Sequence, residues 1–254
     1  TNRQQCVNKS RGLLPRLSLG DDRSATCRRG VGLSVRCAPP PTGPAYAGPF
    51  TSGHGYHLPM LQIAETHRNE IHAATPRDHK AALGQFMTPA SVAGFMASLF
   101  PDASGPRRLL DAGAGLGALT CAVLDRWQDP GAAVELYEID NRLREHLTAT
   151  LAGYSARSVV HGKDFLDDAA QRIAAGEAVF THAILNPPYK KIATTSGARA
   201  AASRAGLETV NLYSAFVGLA LSLLRPGGQL VAIIPRSFAN GPYYKPFRAW
   251  IRAH

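Results

Sequence analysis

The sequence predicts an α/β fold, a Rossmann-like, doubly wound, mostly parallel sheet. Three observations carry that expectation. From about residue 88 onward, short apolar runs alternate with helical apolar stripes, the order that builds a parallel sheet covered on both faces. One apolar run passes directly into a glycine turn, Asp111-Ala112-Gly113-Ala114-Gly115-Leu116-Gly117. Another ends in Asn186-Pro187-Pro188-Tyr189.

The elements follow in order. Thr88-Pro89 reads as an N-cap with proline at the first helical position. Val92, Phe95, Met96, Leu99 and Phe100 then fall at helical spacing as one apolar stripe. Residues 108–111 form a short buried strand ending in the glycine turn. Leu116, Leu119, Val123, Leu124 and Trp127 mark the next helix. Residues 134–138 are a second strand, and residues 141–153 a helix with Leu143, Leu147 and Leu151 on one side. Residues 158–160 are a third strand and 179–185 a fourth. A helix around 210–224 leads through Pro226-Gly227-Gly228 to a fifth strand, 229–234. The sequence carries no internal repeat.

The 254 residues, 45% of them hydrophobic, suffice for one α/β core. No run of eighteen apolar residues occurs, so no membrane span is expected, and the N-terminus shows no secretory pattern. Cys6, Cys27, Cys37 and Cys121 form no CxxC pair and share no metal-ligand spacing with histidine. Free thiols in a reducing cytoplasm, with no metal, are expected. The formal charge is +10, but residues 1–59 hold eight basic side chains against two acidic ones. Charge is therefore compatible with a nucleic-acid partner without pointing to one. Residues 1–59 lack periodicity and end in a Pro/Gly-rich stretch, so a disordered basic extension is expected. A basic nucleic-acid-binding arm is the other reading. Composition changes at Met60, where the natural start is expected, and the upstream residues then read as translated leader sequence.

The glycine turn lets a ligand approach the backbone closely. Its DxGxGxG spacing, opened by an acid, favours S-adenosylmethionine over a dinucleotide, with Asp111 meeting the ligand's ammonium group. Ligands of open α/β sheets sit outside the carboxyl ends of the strands. Glu138, at the end of the second strand, is placed to accept from both ribose hydroxyls, and Asp140 to cap the helix after it. Asp164-Phe165 follows the third strand, where the acid can accept from an adenine amino group and the ring can pack on the base.

Asn186-Pro187-Pro188-Tyr189 suits chemistry on a planar amino group. The Asn186 side-chain carbonyl and the Pro187 backbone carbonyl can each accept one amino hydrogen. That localises the nitrogen lone pair as a methyl group approaches, so the stabilisation grows in the transition state. Proline fixes the backbone and offers no competing donor. Tyr189 offers a flat face for stacking, and a duplex base would reach it only after flipping out.

Together these motifs resemble the N6-adenine DNA methyltransferases of restriction–modification systems, in the arrangement with cofactor motifs before the catalytic tetrad. Gly84-Gln85-Phe86-Met87-Thr88-Pro89 matches that family's N-terminal motif. The resemblance covers roughly residues 60–254. It implies that Thr88 lies against the methionine part of S-adenosylmethionine and that Asp111, Gly113 and Gly115 form the cofactor loop. It further implies that Glu138 holds the ribose, Asp164, Phe165 and Pro188 the adenine, and Asn186, Pro187 and Tyr189 the target base. The implied partner is double-stranded DNA with a flipped adenine, alongside a restriction endonuclease as separate partner or fused domain. A protein glutamine amide or an RNA base amino group, or a silent cofactor- or DNA-binding fragment, are the other readings.

The sequence departs from the family at its end. Further strands, a second stacking aromatic and a target-recognition domain are expected after the fifth strand. Phe247-Arg248-Ala249-Trp250-Ile251 instead resembles the next helix, and the chain ends at His254. A C-terminally truncated domain is therefore expected, with Phe238 and Phe247 serving core packing. The basic stretch from Lys190 to Arg204 is expected to be a loop, either merely solvated or contacting DNA phosphate.

Overall fold

The computed structural model describes residues 60–74, 87–102, 105–193 and 195–254. The expectations placed on residues 1–59, on Cys6, Cys27 and Cys37, and on Gly84-Gln85-Phe86 lie outside the described residues.

Eight helices and five strands succeed one another among those residues: α1 Met60–Ala74, α2 Ala90–Ser98, β1 Arg108–Ala112, α3 Ala118–Trp127, β2 Ala133–Tyr137, α4 Asn141–Leu151, β3 Arg157–His161, α5 Phe165–Ala174, β4 Phe180–Leu185, α6 Gly197–Arg204, α7 Leu212–Ser222, β5 Leu224–Ala232 and α8 Lys245–Ala253. The strands form one sheet in the order β3-β2-β1-β4-β5, and every pairing is parallel. This is the expected Rossmann-like sheet. Its order reverses between β1 and β4, and a crevice at such a reversal is where open α/β sheets bind ligands. The glycine turn leaves β1 and Asn186 leaves β4, so topology alone brings the two motifs to one crevice.

The central strands are apolar because both faces are covered. All six residues of β4 are buried, as are the last four of β1. On one face Leu110, Tyr137 and Phe180 pack with α5, which contributes Phe165, and with α7, and Phe247 of α8 joins them at 1% exposure. On the other, Leu109, Leu136 and Ile184 pack with α2, α3 and α4. Phe238 lies 6.2 Å edge-on to Phe247, so both rings serve the core, as expected.

Local signals set the helix starts. The Asp140 side chain accepts from the Arg142 N–H at 3.0 Å, the capping role expected of it. The start of α2 differs from expectation. Pro89, not Thr88, is the N-cap, and it offers no side-chain bond. The Ala90 N–H instead donates to Glu65 Oε2 of α1 at 3.0 Å. Thr88 is free to serve elsewhere. The buried face of α2 also differs: Ala93, Met96, Ala97 and Phe100 are buried, whereas Val92, Phe95 and Leu99 remain exposed. Alanines let α2 approach α3 closely, and that contact rotates the expected stripe partly outward.

Two further differences concern loops. β5 begins at Leu224, and its pairing with β4 shifts register between Phe180 and His182. The Pro226-Gly227-Gly228 turn is thus an excursion within the strand. The stretch expected to be a loop after Tyr189 contains α6, whose Ser196 N-cap accepts from the Arg199 N–H. Its alanines are strong helix formers. Arg199 pairs with Glu208 and Arg204 with Asp167, so these two arginines already have acidic partners. Among the described residues no helix is long and apolar enough to cross a membrane.

The cap made by Asp140 and the ligand-holding role expected of Glu138 can be separated by substitution. Asp140→Ala should cost about 1 kcal/mol of stability in urea unfolding, with ligand affinity unchanged. Glu138→Ala should weaken ligand binding far more than it lowers stability.

Candidate active site

The glycine turn is held from both sides. Gly113, Gly115 and Gly117 have φ of +79°, +57° and +82°, in the region that only glycine adopts freely. The Gly113 and Ala114 amides both donate to the Tyr137 carbonyl at 2.9 Å. Tyr137 is itself fixed, because its hydroxyl donates to Asp168 and accepts from Arg172. The Gly115 amide donates to Glu138 Oε2 at 2.9 Å, and the Asp140 amide to Glu138 Oε1 at 2.8 Å. Each Glu138 oxygen keeps a second lone pair for a ligand hydroxyl. Burial raises the Glu138 pKa against the opposing pull of those amides.

A cavity open to solvent lies above this turn. Thr88, Gly113, Gly115, Glu138, Asp164, Phe165, Asn186 and Pro188 all line it. Asp111, Pro187 and Tyr189 are not part of that wall.

Asp111 is fully buried and lies outside the residues that line the cavity. Its Oδ2 accepts from the Thr120 hydroxyl at 2.7 Å, and the Thr120 amide of α3 also donates to it. The N-cap Gly117 has no side chain to cap α3, so the strand acid serves that helix end. Among the described residues, Asp111 Oδ1 has no hydrogen-bond partner. Burial, only partly offset by Thr120, pushes its pKa up to about 7.

Asp164 caps α5, its Oδ1 accepting from the Leu166 and Asp167 amides at 2.7 and 3.4 Å. Its Oδ2 carries no hydrogen bond within the described residues. Phe165 is 2% exposed and packs between Tyr137 and Phe216, with ring centroids 5.1 and 5.3 Å away. Phe216 of α7 also lines the cavity. A Cβ added to Gly113 would sit 3.7 Å from its ring.

At the other end, Asn186 Nδ2 donates to Thr88 Oγ1 at 3.0 Å. The bond spans 98 positions in sequence and fixes the amide's orientation, with Oδ1 as the remaining acceptor. The Tyr189 hydroxyl donates to that Oδ1 at 2.6 Å and also lies 3.1 Å from the Ile233 carbonyl. Tyr189 is half-buried, edge-on to Tyr213 at 6.4 Å and 70°. The tyrosine expected to offer an open stacking face is thus folded against the core, its hydroxyl resting on the asparagine oxygen. Cys121, a free thiol on the buried face of α3, has its pKa pushed up to about 12, mainly by desolvation.

Sequence reasoning missed the contribution of α1. Ala64 and Arg68 line the cavity, and Glu65 binds both Arg68 and the Ala90 amide. A faint signal existed in Leu61, Ala64 and Arg68 at helical spacing. The part of the wall formed by Phe216 had no local signal.

The chain matches the Eco57I restriction-modification methylase family over residues 117–254. Type II methyltransferase M.BsuBI of Bacillus subtilis is 45% identical, over 74% of this chain and 41% of that protein. Type II methyltransferase M.PstI of Providencia stuartii is 36% identical, over 73% and 39%. The chain therefore spans about two fifths of the length of these curated relatives. Among solved structures, the methyltransferase subunit of a type I restriction-modification system from Streptococcus thermophilus shares the fold, with a TM-score of 0.56 at 15% identity over 77% of this chain and 44% of that one.

Proposed function

Because this chain belongs to the Eco57I restriction-modification methylase family, we propose that it transfers a methyl group from S-adenosylmethionine to the exocyclic N6 of adenine in DNA. The single observation that supports this most is the position of Asn186. It stands at the topological reversal of the sheet, fixed by Thr88, on the wall of the cavity that also holds Glu138 and Asp164. Residues 60–254 make up the catalytic domain in this reading. The DNA would be double-stranded, with the adenine flipped out, in a cytoplasmic system that includes a restriction endonuclease.

The donor set suits the cofactor. Glu138 offers acceptors for a ribose, Asp164 Oδ2 an acceptor for an adenine amino group, and Phe165 with Pro188 apolar surface for the ring. The orphaned Asp111 Oδ1 supplies negative potential behind the turn, where it favours a cationic ligand through the glycine backbone. S-adenosylmethionine, when bound, supplies an electrophilic methyl group. The protein's own part is to position and polarise the target. Asn186 Oδ1 and the Pro187 carbonyl would accept the two amino hydrogens and localise the lone pair on the nitrogen; as that nitrogen takes the methyl group, S-adenosylhomocysteine would leave and one amino proton would pass to solvent. Hydrogen-bonding strengthens as positive charge grows on that nitrogen.

Tyr189 then has two tasks. Its hydroxyl leaves Asn186 Oδ1 as the base enters, and its ring stacks on the base. Tyr189→Phe keeps the ring and removes the competing hydroxyl, so the methylation rate should stay within about threefold or rise. Tyr189→Ala should lower it roughly tenfold to a hundredfold, the worth of one base–aromatic stack. Single-turnover rates on a saturating oligonucleotide measure both. A Phe variant as impaired as the Ala variant would contradict this division of roles.

The reading as a whole is tested by supplying labelled S-adenosylmethionine with DNA, RNA and a release-factor-like protein. Label should enter DNA. Label confined to RNA or protein would overturn the choice of substrate.

A further inference from the structure

Two cationic side chains line the cavity, Arg68 of α1 and Lys163 before Asp164. We propose that Arg68 is the residue that binds the carboxylate of the cofactor's amino-acid end, an inference that rests on the S-adenosylmethionine reading. That ligand carries one carboxylate, and an anion withdrawn from water into a cavity needs a charged or hydrogen-bonding partner. Neither Glu138 nor Asp164 serves, since both are acids. Lys163 adjoins the adenine-side acid and its Nζ is already bound to Asp168 Oδ1.

Arg68 sits at the other end. Its Nε and Nη2 donate to the two Glu65 oxygens, and Nη2 also to Asn69 Oδ1. Glu65 Oε2 in turn accepts from the Ala90 amide. The guanidinium is therefore tied to the start of α2, two residues beyond Thr88, on the side where Asn186 receives the target. Its Nη1 carries no hydrogen bond within the described residues, leaving two donors uncommitted. A guanidinium in such a tethered state offers a carboxylate a planar, charge-assisted contact with little further ordering. The N-terminus of α3, whose Ala118 and Leu119 share the cavity wall, adds partial positive charge on the same side of the ligand.

Calorimetric titration of the purified chain tests this without any methyl transfer. The ligands are S-adenosylhomocysteine and its decarboxylated analogue, which keeps the nucleoside and the ammonium. The wild-type chain should bind S-adenosylhomocysteine at least about tenfold more tightly than the analogue, the worth of one charge-assisted hydrogen bond. Arg68→Gln should weaken S-adenosylhomocysteine roughly tenfold and change the analogue less than about threefold, so the preference collapses. Arg68→Lys, which keeps the charge and the Glu65 pairing, should restore part of it. Equal weakening of both ligands by Arg68→Gln would show that Arg68 only positions α1, and unchanged binding of S-adenosylhomocysteine would show that it plays no part. Either result overturns the inference while leaving the cofactor reading intact. A wild-type chain that binds neither ligand would overturn both.

Discussion

Asn186→Ala should lower the rate of methyl transfer by about a hundredfold to a thousandfold while leaving cofactor affinity within a fewfold of wild type. The magnitude is that of removing one preorganised group aimed at developing charge. The asymmetry follows from where the side chain sits. Asn186 lies at the end of β4, with its Nδ2 held by Thr88 and its Oδ1 presented as an acceptor. Glu138 and Asp164, the acceptors proposed for ribose and adenine, belong to other strand ends and do not depend on it. Stability should change little, because Asn186 is only half-buried and Tyr189 retains the Ile233 carbonyl as an acceptor. Thermal unfolding, cofactor titration and single-turnover rates on one preparation separate the three quantities. A variant that kept full methylation would remove the proposed mechanism. One that lost cofactor binding in step with rate would make Asn186 a structural part of the cavity.

Asp111→Asn should change the pH dependence of stability in a fixed direction. Burial pushes the carboxyl up to about 7 in the folded chain, from the 3.8 of an ordinary aspartate. The folded state therefore holds this proton more tightly than the unfolded state. The stabilising contribution of the protonated form is complete below about pH 4, declines as pH rises and is gone once pH passes 7. Asparagine keeps an acceptor for Thr120 and has nothing to ionise. The stability of Asp111→Asn relative to wild type should thus rise by about 1.4 kcal/mol per pH unit between pH 5 and 7, then level off. Paired urea unfolding curves measure the difference, and other carboxylates cancel between the two proteins. A constant difference across that range would mean that Asp111 is not titrating there. The same variant should bind a cationic cofactor less well at pH 8, since the negative potential behind the glycine turn is lost.

Much of this architecture was legible because its signals are local. The apolar strands, the glycines that need positive φ and the acid at position 140 announce themselves within a few residues. That Asn186 and Glu138 would share one crevice was legible because strand ends in a parallel sheet meet at one edge. What the sequence hid depends on contacts between distant segments. Thr88 looks like a helix cap until the Asn186 amide is brought to it from 98 positions away. Arg68 is an ordinary helix-surface cation until α1 is laid over α3 and α4 and Glu65 ties it to Ala90. Asp111 shares a motif with residues of the cavity wall yet stands behind that wall, because capping α3 through Thr120 draws the carboxylate inward. Tyr189 illustrates a different limit. Its identity signals stacking, but its packing against Tyr213 and its bond to Asn186 are choices of rotamer that no spacing encodes.

In the proposed reaction, the cavity at the sheet's reversal directs a methyl group to an adenine amino nitrogen held by Asn186. Mass spectrometry of nucleosides, released from duplex DNA after incubation with the protein and S-adenosylmethionine, tests it most directly. The expected product is N6-methyl-2′-deoxyadenosine, absent when Asn186→Ala replaces the wild-type protein. Methylated cytosine in place of methylated adenine, or methyladenine formed equally by the variant, would contradict it.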